Sequence, residues 1–432
     1  MLDFLAISSP KRRRSQSKWS DCFPYYAGFP ESFARDAIGS ADLPVDGVVL
    51  DPWNGSGTTT YAASRLGYKS RGIDLNPVMV LVARARALPP SEADSIEPQA
   101  RALTKNIDRI VGKDLEVDPL SAWFSTDTTK VIRALEKRIR IGLISDQTVD
   151  PHIRFNQISC FAATFYVTLF TICRQFTQQY RSSNPTWLRI PKKAEAKIFL
   201  KAAEIATAFI QQAKIMASSL QTQLRAAEVG YSEIIVGDST KPGASASSDF
   251  VLSSPPYCTR IDYTAATRIE LAIISPLMAV TTDQLSREMI GSVKVPLSMT
   301  FPKNSWGESC NNFLDRLSTH ESKASAGYYY KTHVDYFDKL FRSTLNIGEM
   351  LKPNALAVLV VQDSHYKEIH NDIALILSEM ASEAGMHLER REDYKQSNPI
   401  SGINPRAKLY RQTAGATESV LCFKKTKIGH PI

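Results

Sequence analysis

The stretch VDGVVLDPWNGSGTTTYAASRLGYKSRGIDLNP, residues 45–77, leaves this chain few folds to choose from. Residues 45–52 read as a buried parallel strand, apolar, β-branched and ended by Asp-Pro. A glycine-rich turn follows and opens a helix stopped at Gly67. Residues 69–77 form a second short strand that ends at Asp74. The unit is β-turn-α-β, which demands a parallel sheet with helices on its faces.

The rest of the chain supplies that sheet and interrupts it. Residues 23–38 read as a turn into a short amphipathic helix. From about 78 to 230 the apolar spacing is helical and no strand is evident; residues 196–227 read as one long helix and FAATFYVTLFTIC (161–173) as a buried one. Strands resume at 233–239 and 249–254. A helix over 328–353, stopped by Pro353, feeds a buried strand at 355–364. A helix at 367–385 then leads to strands at 387–395 and 418–425, an antiparallel hairpin with a long tip.

Composition sets looser bounds. The chain has 432 residues, 43% of them apolar and 22% charged, and a net charge of +8, which suits a large core and an anionic partner. Six cysteines form no C-x-x-C pair and no zinc spacing, as expected of reduced thiols in a cytoplasmic protein with no metal. The start, MLDFLAISSPKRRR, places its basic residues after its short apolar run, the reverse of a secretory signal. No segment is apolar for long enough to span a membrane.

The chemistry concentrates at strand ends. Gly55 and Gly57 let the backbone approach a ligand, and the helix after them offers free N–H groups. Thr58 follows Gly57 where a phosphate-binding loop would need lysine, and the dinucleotide G-x-G-x-x-G spacing is missing. Asp51 suits a cationic ligand better than an anionic one. Asp74 is placed to accept from ribose hydroxyls, and Asp238 could accept from an adenine amino group. Singly, each is an ordinary strand-ending aspartate. Together they describe a nucleoside without phosphates, joined to something positive, and S-adenosylmethionine fits. A second feature is DFVLSSPPYCTRIDY (249–263), where a buried strand runs into two prolines. Proline cannot donate to a ladder, so the strand stops in a rigid elbow carrying a hydroxyl and an aromatic ring.

DPWNGSGTT resembles the D-P-F-x-G-S-G-T-T cofactor motif of S-adenosylmethionine-dependent amino-group DNA methyltransferases, with Trp53 in place of phenylalanine. PYYAGFPESFARDAI resembles the element before it, GIDLNP the ribose-binding segment, and SSPPYCTRIDY the [S/D/N]-P-P-Y catalytic motif. The resemblance covers residues 23–86 and 234–263 well and 328–425 loosely. In this chain the cofactor motif comes first, and the helical insertion falls between Asp74 and Asp238.

The resemblance implies a Rossmann-like class I methyltransferase sheet, α/β, mostly parallel with an antiparallel C-terminal hairpin and a large helical insertion. The divisions expected are a disordered basic tail (1–20), the cofactor-binding half (21–86), the insertion, a candidate for target recognition (87–230), and the catalytic half (231–432). It implies Ser254, Pro255, Pro256 and Tyr257 as the catalytic set. Asp51, Gly55, Gly57, Thr58, Asp74 and Asp238 are the expected cofactor-binding set. The target would be an exocyclic amine of a flipped base, with serine at 254 leaning towards cytosine N4; adenine N6 in DNA and guanine N2 in RNA are the alternatives. DNA is the expected partner, with a restriction or defence nuclease as a further one. Candidate contacts to it are Arg189 and Lys192 in the loop 181–193, the loop 291–310, and Lys395, Arg406, Lys408 and Arg411 at the hairpin tip. Such basic, aromatic-containing loops suit nucleic acid, and they equally suit solvated connectors.

Overall fold

In the computed structural model, helix α1 (Glu31–Gly39) precedes strand β1 (Val48–Asp51), helix α2 (Thr58–Arg65), strand β2 (Lys69–Asp74) and helix α3 (Pro77–Arg86). This is the β-turn-α-β unit expected from residues 45–77. The structure describes residues 4–11, 22–23, 28–109, 118–144, 155–182, 188–222, 230–258, 262–298, 300–396 and 416–426.

The stretch 87–230 contributes helices α4 (Ala93–Thr104), α5 (Thr126–Leu143), α6 (Cys160–Phe176) and α7 (Ala202–Gln221). Then come β3 (Ser232–Val236), β4 (Ser248–Ser253), α8 (Arg268–Ile274), α9 (Thr282–Glu288), α10 (Glu308–Thr319), α11 (Tyr330–Met350) and β5 (Leu351–Gln362). A small hairpin, β6 (Ser364–Tyr366) with β7 (Ile369–Asn371), is followed by α12 (Ile373–Glu383), β8 (Met386–Gln396) and β9 (Ala416–Lys425).

The main sheet has seven strands in the order β3-β2-β1-β4-β5-β9-β8. The first five are parallel; β9 runs antiparallel between β5 and β8. Both faces are covered, which explains the unbroken apolar runs. In β5, Leu356, Val358 and Val360 face the side packed by α1 and α2, while Ala357, Leu359 and Val361 face the side packed by α10, α11 and α12. Helix α3 is buried along its whole length, because the helices of the insertion close over it. Inside that layer Arg84 donates from Nε to Ile234 O (2.9 Å), from Nη1 to Phe155 O and Ile158 O (2.6 Å each) and from Nη2 to Asn156 O (3.1 Å). One guanidinium therefore fastens the insertion to β3, with backbone carbonyls as its acceptors.

Four details correct the sequence reading. The long helix begins at Ala202 rather than 196, because Ile198 bridges to Phe124 and Leu200 N–H donates to Thr128 Oγ1 (2.8 Å), which holds residues 197–201 extended. Pro353 does not stop α11, which ends at Met350; the proline lies inside β5, where pairing with β4 jumps from Leu351 to Leu356 and Asn354 takes φ 66°. Residues 364–371 form the β6–β7 hairpin, so α12 starts only at Ile373, capped by Asp372 accepting from Leu375 N–H (3.0 Å). Residues 4–11 are not a loose tail: Leu5 is buried beside α1, its carbonyl accepts from Arg390 Nη1 (3.0 Å), and Ala6 N–H donates to Ser40 Oγ (2.8 Å). Residues 12–20 lie outside the described residues.

Candidate active site

Strands β1 and β4 are neighbours, paired Val49↔Phe250 and Leu50↔Val251, so the glycine turn and the proline elbow leave adjacent strand ends. Ser253 Oγ donates to the Asp51 carboxylate across that seam. The sheet thus brings together two motifs about 200 positions apart.

The glycine corner is tied by its own backbone. Asn54 N–H donates to Ile73 O (3.0 Å) and Gly57 N–H to Asn54 O (2.8 Å). Gly55 N–H donates to Asp74 Oδ2 and Asn76 N–H to Asp74 Oδ1, both at 2.8 Å. Gly55 and Gly57 have φ of 48° and 75°, and a Cβ on Gly57 would stand 2.8 Å from Ala83 Cβ, so this turn needs glycine there on two counts. Thr58 Oγ1 accepts from Arg86 Nη1 (3.1 Å), and Arg86 Nη2 pairs with Glu31 at 3.0 Å. That buried arginine joins α1 to the helix after the turn.

Burial pushes the Asp51 carboxyl up to about 6, against the opposing hydrogen bonds from Ser253, Thr59 and Trp53. Asp74 is likewise raised to about 6 by burial, against hydrogen bonds from Asn76 and Gly55. Two carboxyls held this way become more basic and gain from a nearby cation. Asp238 sits two residues beyond β3 rather than at its end, and its Oδ1 already accepts from Thr240 N–H (2.9 Å) and Thr240 Oγ1 (2.7 Å).

The elbow is held from outside. Tyr257 N–H donates to Tyr263 Oη (3.0 Å), and Tyr336 Oη donates to Pro256 O (3.0 Å). Ser254 Oγ and Pro255 O make no hydrogen bond among the described residues. Both residues line the cleft, and neither acceptor has a partner among the described residues.

One cleft of ≈ 1090 Å³, its open mouth included, is lined by Asp51, Gly55, Thr58, Asp74, Asp238 and all four elbow residues, Ser254 to Tyr257. Gly57 stands behind the wall and shapes the turn.

Several wall residues were not singled out from the sequence: Phe29, Tyr263 and the run Glu288–Ile290. Trp53 was legible as a motif variant, though not its bond from Nε1 to Ser239 Oγ (2.9 Å). Glu288–Ile290 belongs to no motif. Its one signal is the glycine after it: Gly291 has φ 77°, and a Cβ there would lie 3.1 Å from Tyr257 O.

None of the described residues among the expected nucleic-acid contacts lines the cleft. Arg189 and Lys192 are exposed and do not line the cleft. Lys395 is exposed near the end of β8, and β8 runs parallel to β5, so it leaves the sheet on the edge that carries the cleft. Arg406, Lys408 and Arg411 lie outside the described residues. Among the described residues no group of His, Cys, Asp and Glu is arranged to hold a metal, and no helix is long and apolar enough to cross a membrane.

Residues 3–84 match the family model described as DNA methylase, of the N6/N4 type. The mostly parallel seven-stranded sheet with β9 antiparallel is the α/β sheet expected from the sequence, and the cleft opens at its β1/β4 seam. The chain is 24% identical over 153 residues to the Type II methyltransferase M.AvaI of Nostoc sp. and of Anabaena variabilis; the match takes in 33% of this chain and 31% of each relative. The matched region thus spans about a third of the length of those curated relatives. Solved structures align more loosely. A SAM-dependent methyltransferase from Methanosarcina mazei aligns at 8% identity and TM-score 0.30, covering 90% of this chain and 96% of that one. A putative methyltransferase from Bacillus halodurans aligns at 9% and 0.31, covering 92% and 100%.

Proposed function

We propose that this chain is an S-adenosylmethionine-dependent DNA methyltransferase acting on the exocyclic amine of a flipped-out base, with cytosine N4 as the favoured target. The observation that carries the proposal is the pairing at the β1/β4 seam. An acidic, glycine-lined corner and a proline elbow, whose Ser254 Oγ and Pro255 O have no partner among the described residues, open into one cleft. The match of residues 3–84 to the DNA methylase model supports the substrate class.

The residues present fit the cofactor. Asp51 and Asp74 are carboxyls whose raised pKa values favour a cationic neighbour, Phe29 and Trp53 offer aromatic surface, and no lysine follows Gly57 to claim a phosphate. Asp74 would hold the ribose, Asp238 the adenine amine, and Asp51 with Gly55 the methionine portion. S-adenosylmethionine bound there supplies an electrophilic methyl group.

The elbow does the rest. Tyr257 stacks on the face of the flipped base, which offsets part of the few kcal/mol that extrusion costs. Ser254 Oγ and Pro255 O accept from the two N–H groups of the amine. A nucleobase amine is a weak nucleophile because its lone pair is delocalised into the ring. Two fixed acceptors would favour the tetrahedral nitrogen and so localise the lone pair that a bound methyl donor would require. Prolines 255 and 256 keep those acceptors in place, so much of the gain is positional, up to about 7–11 kcal/mol at good geometry. A cognate nuclease and a cytoplasmic setting belong to the same reading.

Nucleoside mass spectrometry tests it. DNA and RNA from a host expressing the chain are digested and compared with those of a host lacking it. N4-methylcytosine in DNA is the expected result. N6-methyladenine would keep the mechanism and change the target, whereas a methylated base in RNA alone would overturn the DNA reading.

A further inference from the structure

Helix α11 carries a buried polar stripe at Tyr336, Lys339, Ser343 and Asn346, spaced three, four and three residues apart, which places all four on one face. Each reaches a wall of the cleft. Tyr336 Oη donates to Pro256 O at 3.0 Å. Lys339 Nζ donates to Arg287 O (2.6 Å), Met289 O (3.3 Å) and Asp335 Oδ2 (2.8 Å), so each of its three ammonium protons has an acceptor. Ser343 Oγ shares a hydrogen bond with Ser239 Oγ (2.9 Å), the same oxygen that accepts from Trp53 Nε1. Asn346 Nδ2 donates to Ser239 O (2.9 Å).

Packing alone does not ask for this. The neighbouring core is apolar, and a polar atom buried there costs free energy unless it is paired, so leucine or methionine would fill the same face at less risk. Other polar residues of the helix bond elsewhere: Thr344 Oγ1 donates to Leu340 O at 2.8 Å within the helix, His333 Nδ1 meets the N-cap Tyr329 O at 2.7 Å, and Asp338 pairs with Lys303 at 3.5 Å, away from the cleft walls. The stripe bonds outward, and its outward partners belong to segments that line the cleft.

The stripe also divides by position. Its N-terminal pair holds the proline elbow and the Arg287–Ile290 segment facing it. Its C-terminal pair holds Ser239 and, through it, Trp53 beside the glycine corner. We propose that these are positioning residues with separate assignments, Tyr336 and Lys339 for the end that receives the target amine, Ser343 and Asn346 for the end that receives the methyl donor. The inference rests on the methyltransferase reading and adds how one helix sets both ends.

Two gentle variants of the full chain test it, Tyr336→Phe and Ser343→Ala, each removing one hydroxyl. S-adenosylmethionine binding is measured by calorimetry without DNA, and methyl transfer to DNA by steady-state kinetics. Ser343→Ala is expected to weaken cofactor binding about fivefold, the worth of one hydrogen bond, with kcat at saturating cofactor nearly unchanged. Tyr336→Phe is expected to leave cofactor affinity within about twofold and to lower kcat about tenfold, because the elbow carbonyls lose their register. Asn346→Ala should copy the first pattern and Lys339→Gln the second, which guards against one badly folded variant. Both substitutions moving the same parameter, or neither moving any, would overturn the division. A wild type that binds S-adenosylmethionine yet methylates no DNA would remove the substrate reading only; the split in cofactor affinity then decides the inference alone. A wild type that binds none removes both.

Discussion

The two corners of the cleft are built in opposite ways. The glycine corner closes on itself: Asp74 takes N–H groups from Gly55 and Asn76, and Asp51 takes Ser253 and Trp53, so its carboxylates are oriented before any ligand arrives. The proline corner is stiff but open: Ser254 Oγ and Pro255 O have no partner among the described residues, and its position is set by Tyr263 and Tyr336 from outside. A site for a ligand used on every turnover can be preformed. A site for a base that must first leave a duplex gains more by keeping its acceptors free until the base arrives.

The largest test of that contrast is Tyr257→Ala. Methyl transfer to DNA should fall at least about a hundredfold while cofactor affinity by calorimetry stays within about twofold; equal loss of both would mean the corners are one unit. Gly57→Ala should do the reverse. Its methyl would collide with Ala83 at a left-handed φ, so cofactor affinity should drop about tenfold and the fold should lose about 1–3 kcal/mol by denaturant titration.

A third test uses pH. The Asp51 carboxyl rises from 3.8 to about 6 on folding, so the folded chain binds its proton more tightly than the unfolded one. That contribution favours folding at low pH and is lost as pH rises from about 4 to 6, leaving a cost of up to about 3 kcal/mol at pH 7. Asp51→Asn should therefore raise the melting temperature at pH 7 more than at pH 4. If Asp51 balances the cofactor's positive charge as proposed, affinity of the wild type for S-adenosylmethionine should fall below pH 6, by about tenfold per unit, as that carboxylate is protonated. A flat affinity profile from pH 5 to 8 would remove Asp51 and Asp74 from the cofactor's charge balance. The smallest effect is expected from Arg189→Ala or Lys395→Ala. Each would lower the slope of log affinity for DNA against log salt by about 0.9 if it meets one phosphate, with cofactor binding unmoved.

The sequence made the two corners legible because glycine and proline write backbone geometry directly into the residue code. It also showed the parallel sheet, since β1, β4 and β5 are apolar on both faces. What it hid depends on distant partners. The Glu288–Ile290 wall is held by Lys339, fifty residues on, and the α11 stripe looks like any polar positions of an amphipathic helix until the sheet places Pro256 and Ser239 beside it. Pro353 misled for a local reason, because a bulge in β5 can carry proline as readily as a helix end can. The start of α7 was misplaced because an extended segment pinned by Thr128 and Phe124 has the same apolar residues as a helical turn.

The Arg84 fastening has a consequence for how such a chain can change over time. Its acceptors in the insertion are the main-chain oxygens of Phe155, Asn156 and Ile158, which any residue at those positions would present. The side chains of the helical layer can therefore drift, or be exchanged wholesale for those of another layer with the same backbone path, without unfastening it from β3. Deleting the layer is another matter, since it would strand a buried cation with most of its donors unanswered.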